Sequence, residues 1–185
     1  MNANTPIDPP ASPEELRRLE LQTGTTVADF GAGSSALWAA TMSDAVGADG
    51  SVLMFDVRSS ALKAALKVAS IRGRTNCKAV WTNLEVYQGA SGVADNSLDA
   101  GILVNVLNGS KHPKDMLAEI HRMLKSGAKL MIIDWEPTTE NRLAPPVNHR
   151  VASPFVETLA KSLGFAPMSK FSPNASTWGL ILMKT

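Results

Sequence analysis

Two acidic residues and two glycines, placed at the ends of predicted strands, are the residues of this chain best suited to bind a nucleotide. Residues 26–30 form a short, mainly apolar run with two β-branched residues, and this run contains Asp29. Gly31 and Gly33 follow it. Gly31 permits a sharp turn, and Gly33 leaves no side chain between the backbone and a ligand. The unpaired amides at the start of a following helix attract a polar ligand. This strand, glycine turn and helix are typical of nucleotide sites in α/β sheets.

The second acid, Asp56, ends a continuous apolar run at 51–56, which is typical of a strand buried on both faces of a parallel sheet. Residues 31–36 satisfy the dinucleotide fingerprint, and Asp56 lies at about the distance expected of the acid that binds a ribose. A nicotinamide-dependent oxidoreductase is therefore one possible reading. Against it, no substrate domain is evident, and the sole tyrosine, Tyr87, is followed four residues later by Ser91 rather than lysine.

Periodicity and turn residues predict the elements that position these groups. We predict helices at about 13–21, 35–46, 59–72, 113–125 and 153–163, and strands at 26–30, 51–56, 77–82, 98–105, 129–134, from 165 and at 178–183. Ser12 and Ser153 are expected to cap helices, and Gly127 to end the helix before it. The alternation predicts an α/β fold: a doubly wound, Rossmann-like, seven-stranded and mostly parallel sheet with a C-terminal antiparallel hairpin.

Composition limits the class of protein. At 185 residues the chain is expected to form an N-terminal arm and short helix, 1–22, and one domain, 23–185. A net charge of +1 gives no electrostatic footprint for nucleic acid. No stretch of 18 apolar residues occurs, so no membrane span is expected, and the polar, proline-rich start does not resemble a secretory signal. A single cysteine, Cys77, excludes an internal disulfide, and we expect a cytoplasmic protein.

The order of the motifs resembles the class I S-adenosylmethionine-dependent methyltransferases over residues 24–185. The segment Val27-x-Asp29-x-Gly31-x-Gly33 looks like the first motif of that family, and 55–57 looks like the second. The later motifs and the terminal hairpin are matched by residues 98–105, 124–130, 165–172 and 177–184. The most similar branch is the type 11 group of small-molecule enzymes related to quinone and arsenite methyltransferases.

The resemblance implies S-adenosylmethionine as the cofactor and assigns it a set of binding residues. Asp29 would hold the cofactor's amino group, the two glycines would admit its methionine part, and Asp56 would bind both ribose hydroxyls. Adenine would lie between Val57 and Leu84, and Asn83, at a position where the family often has an acid, would bind its edge. Asn105 would lie near the sulfur. The set is Asp29, Gly31, Gly33, Asp56, Val57, Asn83, Leu84 and Asn105. Ser35 stands where many members carry a third glycine.

The acceptor would be bound by loops at the carboxyl edge of the sheet. Candidate lining residues there are Asn108, Asp134, Trp135, Arg150 and Trp178, and His149 is the histidine placed to act as a base. Asp134 and Asn105 offer too few carboxylates for a hard cation, so no metal is expected. Each of these residues also has a purely structural reading, as a capping, solvated or packing residue.

The predicted function is therefore methyl transfer from S-adenosylmethionine to an unidentified, small-molecule acceptor. No Asn/Asp-Pro-Pro-Tyr/Phe segment occurs, which argues against acceptors such as the exocyclic amine of adenine. A degenerate methyltransferase that serves as a cofactor-binding or scaffolding module and a nicotinamide-dependent oxidoreductase are the alternatives.

Overall fold

Seven strands and four α-helices organise residues 13–185, which is the part of the chain that the computed structural model describes. The strands are β1 (Thr26–Phe30), β2 (Ser51–Asp56), β3 (Cys77–Trp81), β4 (Leu98–Val104), β5 (Leu124–Trp135), β6 (Phe165–Asn174) and β7 (Thr177–Lys184). The helices are α1 (Leu37–Val46), α2 (Ser59–Ile71), α3 (Pro113–Met123) and α4 (Ser153–Ser162). Short 3₁₀ helices lie at Pro13–Leu19, Leu107–Gly109 and Val147–His149. The expected cap at Ser12 lies outside the described residues, and Ser153 is the first residue of α4 rather than its cap.

The strands form one sheet in the order β3-β2-β1-β4-β5-β7-β6. The first five in this order pair in parallel, and β7 pairs antiparallel with both β5 and β6. The predicted α/β fold with a C-terminal antiparallel hairpin is therefore confirmed. The chain runs outward from β1 to β3 and then crosses back to β4, so β1 and β4 are neighbours. A crevice at the carboxyl ends of the strands is expected at this reversal of direction.

Apolar side chains fill both faces of the sheet and hold the strand ends in place. On one face, Phe30 and Phe55 pack 4.9 Å apart and join a cluster with Leu117 of α3 and Val156 of α4. On the other face, α1, α2 and the first 3₁₀ helix cover the sheet through buried residues such as Met42. Two of the strand ends that carry the motifs, β1 and β2, are thus anchored in the core.

The short helix that the sequence predicted at 13–21 is a 3₁₀ helix at Pro13–Leu19. In a 3₁₀ helix, side chains three residues apart lie directly above one another. Leu16 and Leu19 are both buried at this spacing. On the surface, Glu15 forms an ion pair of 2.5 Å with Arg18, also three residues on. The i,i+3 spacing of the buried leucines and of the ion pair favours a 3₁₀ helix over an α-helix.

The prediction that Gly127 ends a helix over 113–125 is wrong. The helix α3 ends at Met123, and β5 begins immediately at Leu124, which pairs with Leu98 of β4. Gly127 has φ +79° and lies where the register between β4 and β5 shifts, so it supports a bulge. A glycine with positive φ ends helices and forms bulges equally well, and only the pairing with β4 distinguishes them.

A buried ion pair attaches the loop between β3 and β4 to α3. Glu119 has no exposed surface, and its carboxylate accepts hydrogen bonds from two groups of Arg122, at 2.8 and 2.9 Å. The same carboxylate accepts the backbone N–H of Gln88 at 2.9 Å and of Ala90 at 3.2 Å. Arg122 in turn donates to the carbonyls of Ala90 and Val93. Burial opposes the charge on Glu119, but the bonds from Arg122 and the two backbone amides outweigh it and hold the pKa of Glu119 below its usual value.

No helix within residues 13–185 is both long and apolar enough to cross a membrane.

Candidate functional site

A cleft of about 360 Å³ opens at the carboxyl ends of β1, β2, β3 and β4, where the topology predicts a ligand site. Each strand contributes the residues that follow it directly. The lining residues are Gly31, Asp56, Val57, Arg58, Thr82, Asn83, Leu84, Glu85, Asn105, Val106, Gly109, Ser110 and Met116. Six of them belong to the set that the sequence predicted for the cofactor.

The glycine turn after β1 is held against the end of β2. The N–H groups of Gly31 and Ala32 both donate to the carbonyl of Phe55, each at 2.8 Å. Gly31 has φ +81°, and a Cβ there would collide with the side chain of Val106, so only glycine fits this position without strain. Gly33 has φ +63° and open space where a Cβ would point. The turn therefore leaves room for a ligand beside its backbone.

Asp56 connects the glycine turn to the start of α2. Its Oδ2 accepts the backbone N–H of Gly33 at 3.0 Å, and its Oδ1 accepts the backbone N–H of Arg58 at 2.8 Å. The guanidinium of Arg58 also contacts Oδ1, at 3.3 Å. A second guanidinium N–H donates to Oδ2 at 3.5 Å. Only 7% of Asp56 is exposed, yet the residue lines the cleft. A carboxylate has about four lone-pair sites, so two hydroxyl groups of a ligand bind here by displacing the two long bonds from the Arg58 guanidinium.

Asp29 is a buried carboxyl group close to the turn. It is the fourth residue of β1, 2% of it is exposed, and its Oδ2 has no hydrogen-bond partner. Burial raises the pKa of Asp29 to about 7, and the charge of Asp56 adds to this effect while the backbone N–H of Ala39 opposes it. The group is therefore poised to ionise near neutral pH when a cation approaches.

The far end of the cleft is lined by Val57, Asn83 and Leu84, as predicted for an adenine site. Val57 is 62% exposed, whereas Leu84 packs into the core. Oδ1 of Asn83 accepts the backbone N–H of Glu85 at 3.0 Å, which orients the side chain and leaves one lone pair of Oδ1 for a ligand. Two apolar side chains beside an oriented amide are chemically suited to a flat, apolar ring with a polar edge.

Two residues that line this cleft carry a buried oxygen without a hydrogen-bond partner, and Asp29, which precedes the glycine turn but does not line the cleft, carries a third. Within residues 13–185 the buried side-chain atoms lacking a hydrogen bond include Oδ2 of Asp29, Oγ1 of Thr82 and Oδ1 of Asn105. Thr82 and Asn105 line the cleft, and Asn105 has φ +56°, with its N–H donating to the carbonyl of Ile133 at 2.8 Å. An unpaired buried polar atom costs about 1–3 kcal/mol, so a polar ligand that satisfies these atoms would be favoured. An amino group and ribose hydroxyls, as in S-adenosylmethionine, have the required donors.

Several lining residues were not found from the sequence. They belong to the cleft because they follow or face the motif residues, and they are Arg58, Thr82, Glu85, Val106, Gly109, Ser110 and Met116. Four of them are adjacent in sequence to a residue predicted for the cofactor, and this adjacency was the one available signal: Arg58, Thr82, Glu85 and Val106. Ser110 and Met116 enter through the path of the loop after β4 and the position of α3, which no local pattern reveals.

Asp134 and Asn108 form a pair beside the cleft. Asn108 donates its side-chain amide to Oδ1 of Asp134 at 3.1 Å and its backbone N–H to Oδ2 at 3.2 Å. Burial raises the pKa of Asp134, and hydrogen bonds from Trp135 and Asn108 oppose this shift. The pair ties the loop after β4 to the end of β5. Among the residues described, no cluster of three or more His, Cys, Asp or Glu side chains could hold a metal ion.

None of the predicted acceptor residues, Asn108 and Asp134 included, lines the cleft. Trp135 and Trp178 are buried, and the indole N–H of Trp178 donates to the carbonyls of Trp135 and Val151. The guanidinium of Arg150 donates to three loop carbonyls, those of Pro137, Thr139 and Pro145. His149 is exposed in the 3₁₀ helix Val147–His149, at the carboxyl edge of the sheet.

Comparison with known proteins agrees with this geometry. A protein family described as a methyltransferase domain matches residues 21–162. The chain therefore belongs to the methyltransferase domain family, and its predicted membership of the class I S-adenosylmethionine-dependent methyltransferases is confirmed. The enzyme class is accordingly that of a methyltransferase whose cofactor is S-adenosylmethionine.

Solved structures share the fold over most of the chain. An S-adenosylmethionine-dependent methyltransferase from Aquifex aeolicus is 23% identical, with a TM-score of 0.85 over 97% of this chain and 95% of its own. An arsenic(III) S-adenosylmethionine methyltransferase from Chlamydomonas reinhardtii is 21% identical, with a TM-score of 0.70 over 88% of this chain and 64% of its own.

A phosphoethanolamine N-methyltransferase from Haemonchus contortus, solved with phosphomonomethylethanolamine and S-adenosylhomocysteine, is 15% identical, with a TM-score of 0.74 over 92% of this chain and 51% of its own. No curated protein matches this chain.

Proposed function

We propose that the cleft at the ends of β1 to β4 binds S-adenosylmethionine and that the protein transfers the methyl group to a small-molecule acceptor. The observation that carries this proposal is that Gly31 of the glycine turn, Asp56 and the unpaired oxygens of Thr82 and Asn105 line one cleft of about 360 Å³, with the buried Asp29 in the strand that leads into the turn. S-adenosylmethionine supplies a methyl group already activated on its sulfonium. The chain's own task is alignment and exclusion of water.

Each residue has a binding role in this proposal. Asp29, as the carboxylate, holds the amino group, and the open space above Gly33 takes the methionine part. Asp56 accepts the ribose hydroxyls, and Thr82 and Asn105 use their unpaired oxygens for the remaining donors of the ligand. Val57 and Leu84 hold adenine between them while Asn83 reads its edge.

A small-molecule acceptor is supported by three facts. The net charge of +1 offers no footprint for nucleic acid. The solved structures with this fold include enzymes named for arsenic(III) and for phosphoethanolamine. The loop between β5 and α4 follows the carboxyl end of β5 and exposes two apolar side chains, Leu143 and Val147, which we expect to contact an acceptor.

Calorimetric titration with S-adenosylhomocysteine, with NAD as the control ligand, tests the cofactor. We expect micromolar binding of S-adenosylhomocysteine and none of NAD. Binding of NAD alone would contradict the proposal. Methyl turnover over a panel of acceptors then tests the reaction, and tight product binding without any turnover would favour a cofactor-binding module.

Cofactor binding is expected to strengthen as the pH rises through about 7. In the free protein burial raises the pKa of Asp29 to about 7, so below that pH the carboxyl holds a proton. The positively charged amino group of the ligand favours the carboxylate form of Asp29, so the proton on Asp29 must leave on binding. Affinity for S-adenosylhomocysteine should therefore fall up to about tenfold per pH unit below 7 and level off above it.

Calorimetry between pH 5.5 and 8.5, in buffers of different ionisation enthalpy, measures both the affinity and the proton released. Asp29→Asn is the matched control, because it keeps the shape and cannot ionise. The same slope in Asp29→Asn as in the unsubstituted protein would show that another group causes it.

His149→Ala is expected to lower turnover and to leave the affinity for S-adenosylhomocysteine unchanged. His149 is exposed at the carboxyl edge but does not line the cofactor cleft. Its loss should therefore slow only the removal of a proton from the acceptor, and not the binding of the cofactor. Steady-state rates beside a binding titration separate the two effects. Asn148→Ala, an exposed neighbour in the same 3₁₀ helix, is the control, and full activity of His149→Ala would remove His149 from the site.

A further inference from the structure

Glu85 joins the two loops that form the walls of the nucleoside end of the cleft. It belongs to the loop after β3, and its Oε1 accepts three hydrogen bonds from the segment before α3. The donors are the hydroxyl of Ser110 at 2.6 Å and the backbone N–H groups of Lys111 at 2.9 Å and His112 at 3.4 Å. The bond from Ser110 holds the pKa of Glu85 below its usual value, so the group is a carboxylate at neutral pH. Glu85 and Ser110 both line the cleft.

The backbone of Glu85 acts on the opposite side of the same turn. Its N–H donates to Oδ1 of Asn83 at 3.0 Å, which orients the side chain proposed to read adenine. Glu85 therefore fixes both the orientation of the Asn83 side chain and the distance between the loop after β3 and the segment before α3. A displacement of Glu85 would move Asn83 and release Ser110 together.

The start of α3 needs an external acceptor, and Glu85 supplies it. Pro113 is the first helical residue and has no N–H, and His112 at the cap makes no side-chain capping bond. A carboxylate at the N-terminus of a helix is favoured by the helix dipole. Met116, one turn into α3, lines the cleft, so the anchor at Lys111 and His112 also places this side chain.

On the basis of the proposed cofactor site, we propose that Glu85 is a positioning residue that holds the Ser110–His112 wall against the Asn83–Leu84 wall and thereby makes the site selective for adenine. The carboxylate does not contact the reacting methyl group. Its effect passes through Asn83 and through the width of the cleft.

Two ligands that differ at the edge of the base test this role. S-inosylhomocysteine carries an oxygen where S-adenosylhomocysteine carries the exocyclic amino group, and calorimetry gives the affinity of each. In Glu85→Ala we expect S-adenosylhomocysteine to bind about fivefold to tenfold more weakly, and the preference for it over the inosine compound to shrink at least about threefold. Glu85→Gln keeps an oxygen acceptor for Ser110, so it should restore most of the preference.

Ser110→Ala removes one of the three bonds and should show a smaller loss in the same direction, and the double variant should lose less than the sum of the two. This variant keeps the test open if Glu85→Ala does not fold. Glu157→Ala removes an acid that pairs with Lys161 and Lys170 on α4 and β6, and it should change neither affinity.

A merely structural role would weaken both ligands equally and leave the preference intact, and that result would overturn the proposal for Glu85. Unchanged binding in Glu85→Ala would do the same. If the unsubstituted protein binds neither ligand, the proposed cofactor site itself is wrong.

Discussion

Asp56→Ala is expected to weaken binding of S-adenosylhomocysteine roughly 10- to 150-fold. The carboxylate is 7% exposed, lines the cleft, and already orders the turn by accepting the N–H of Gly33 at 3.0 Å. Two ribose hydroxyls bound to it would add charge-assisted hydrogen bonds, and their loss costs about 1.5–3 kcal/mol of binding free energy. Alanine also frees the guanidinium of Arg58, which would then face the ribose without a partner acid.

Calorimetric titration of the variant and the unsubstituted protein measures this loss, and thermal unfolding shows whether the turn survives. Asp49→Ala is the matched control, because Asp49 is an exposed acid before β2, at the opposite end of the strand. Asp56→Asn should lose less, since its amide oxygen still accepts one hydroxyl. An unchanged dissociation constant in Asp56→Ala would mean that the ribose lies elsewhere.

Glu119→Ala should lower the free energy of unfolding by about 3–5 kcal/mol, because it removes the buried partner of Arg122 and leaves only Asp95, a largely exposed acid, beside the guanidinium. The loss extends beyond the ion pair. The backbone N–H groups of Gln88 and Ala90 would also lose their acceptor, and the loop between β3 and β4 would detach from α3. Denaturant unfolding gives the free energy directly, and the midpoint of thermal unfolding should fall by roughly 6–20 °C.

A double variant separates the ion pair from its role in holding the loop. Glu119→Leu with Arg122→Met replaces the pair with apolar side chains of similar size, a change that is often neutral at a buried ion pair. Here it should remain destabilising, because the carbonyls of Ala90 and Val93 and two N–H groups stay unpaired. Stability equal to that of the unsubstituted protein would refute this account. Glu157→Ala, which removes an ion-paired acid on the surface, should change the free energy of unfolding far less than Glu119→Ala does.

The sequence by itself determined the order and type of the main elements and the residues of the two acidic motifs. Apolar runs that end in Asp29-Phe30 and Asp56 predict buried parallel strands, because only strands covered on both faces tolerate such runs. The carboxyl ends of parallel strands meet at one edge of a sheet, so the order of the strands is enough to place Gly31, Asp56 and Asn105 together. These inferences depend on local sequence patterns, and the packing of distant parts of the chain does not change them.

The tertiary structure decided what local patterns leave ambiguous. Gly127 supports a bulge because β4 pairs with β5 there, and the turn chemistry alone permits a helix end as well. Trp178 is a core residue because its indole finds two carbonyls across the fold, although its sequence position equally allows an exposed wall. Glu85, Ser110 and Met116 come together because the loop after β3 and the start of α3 meet over the cleft. Contacts between residues about 25 to 43 positions apart depend on packing and register, which no pattern of neighbouring residues encodes.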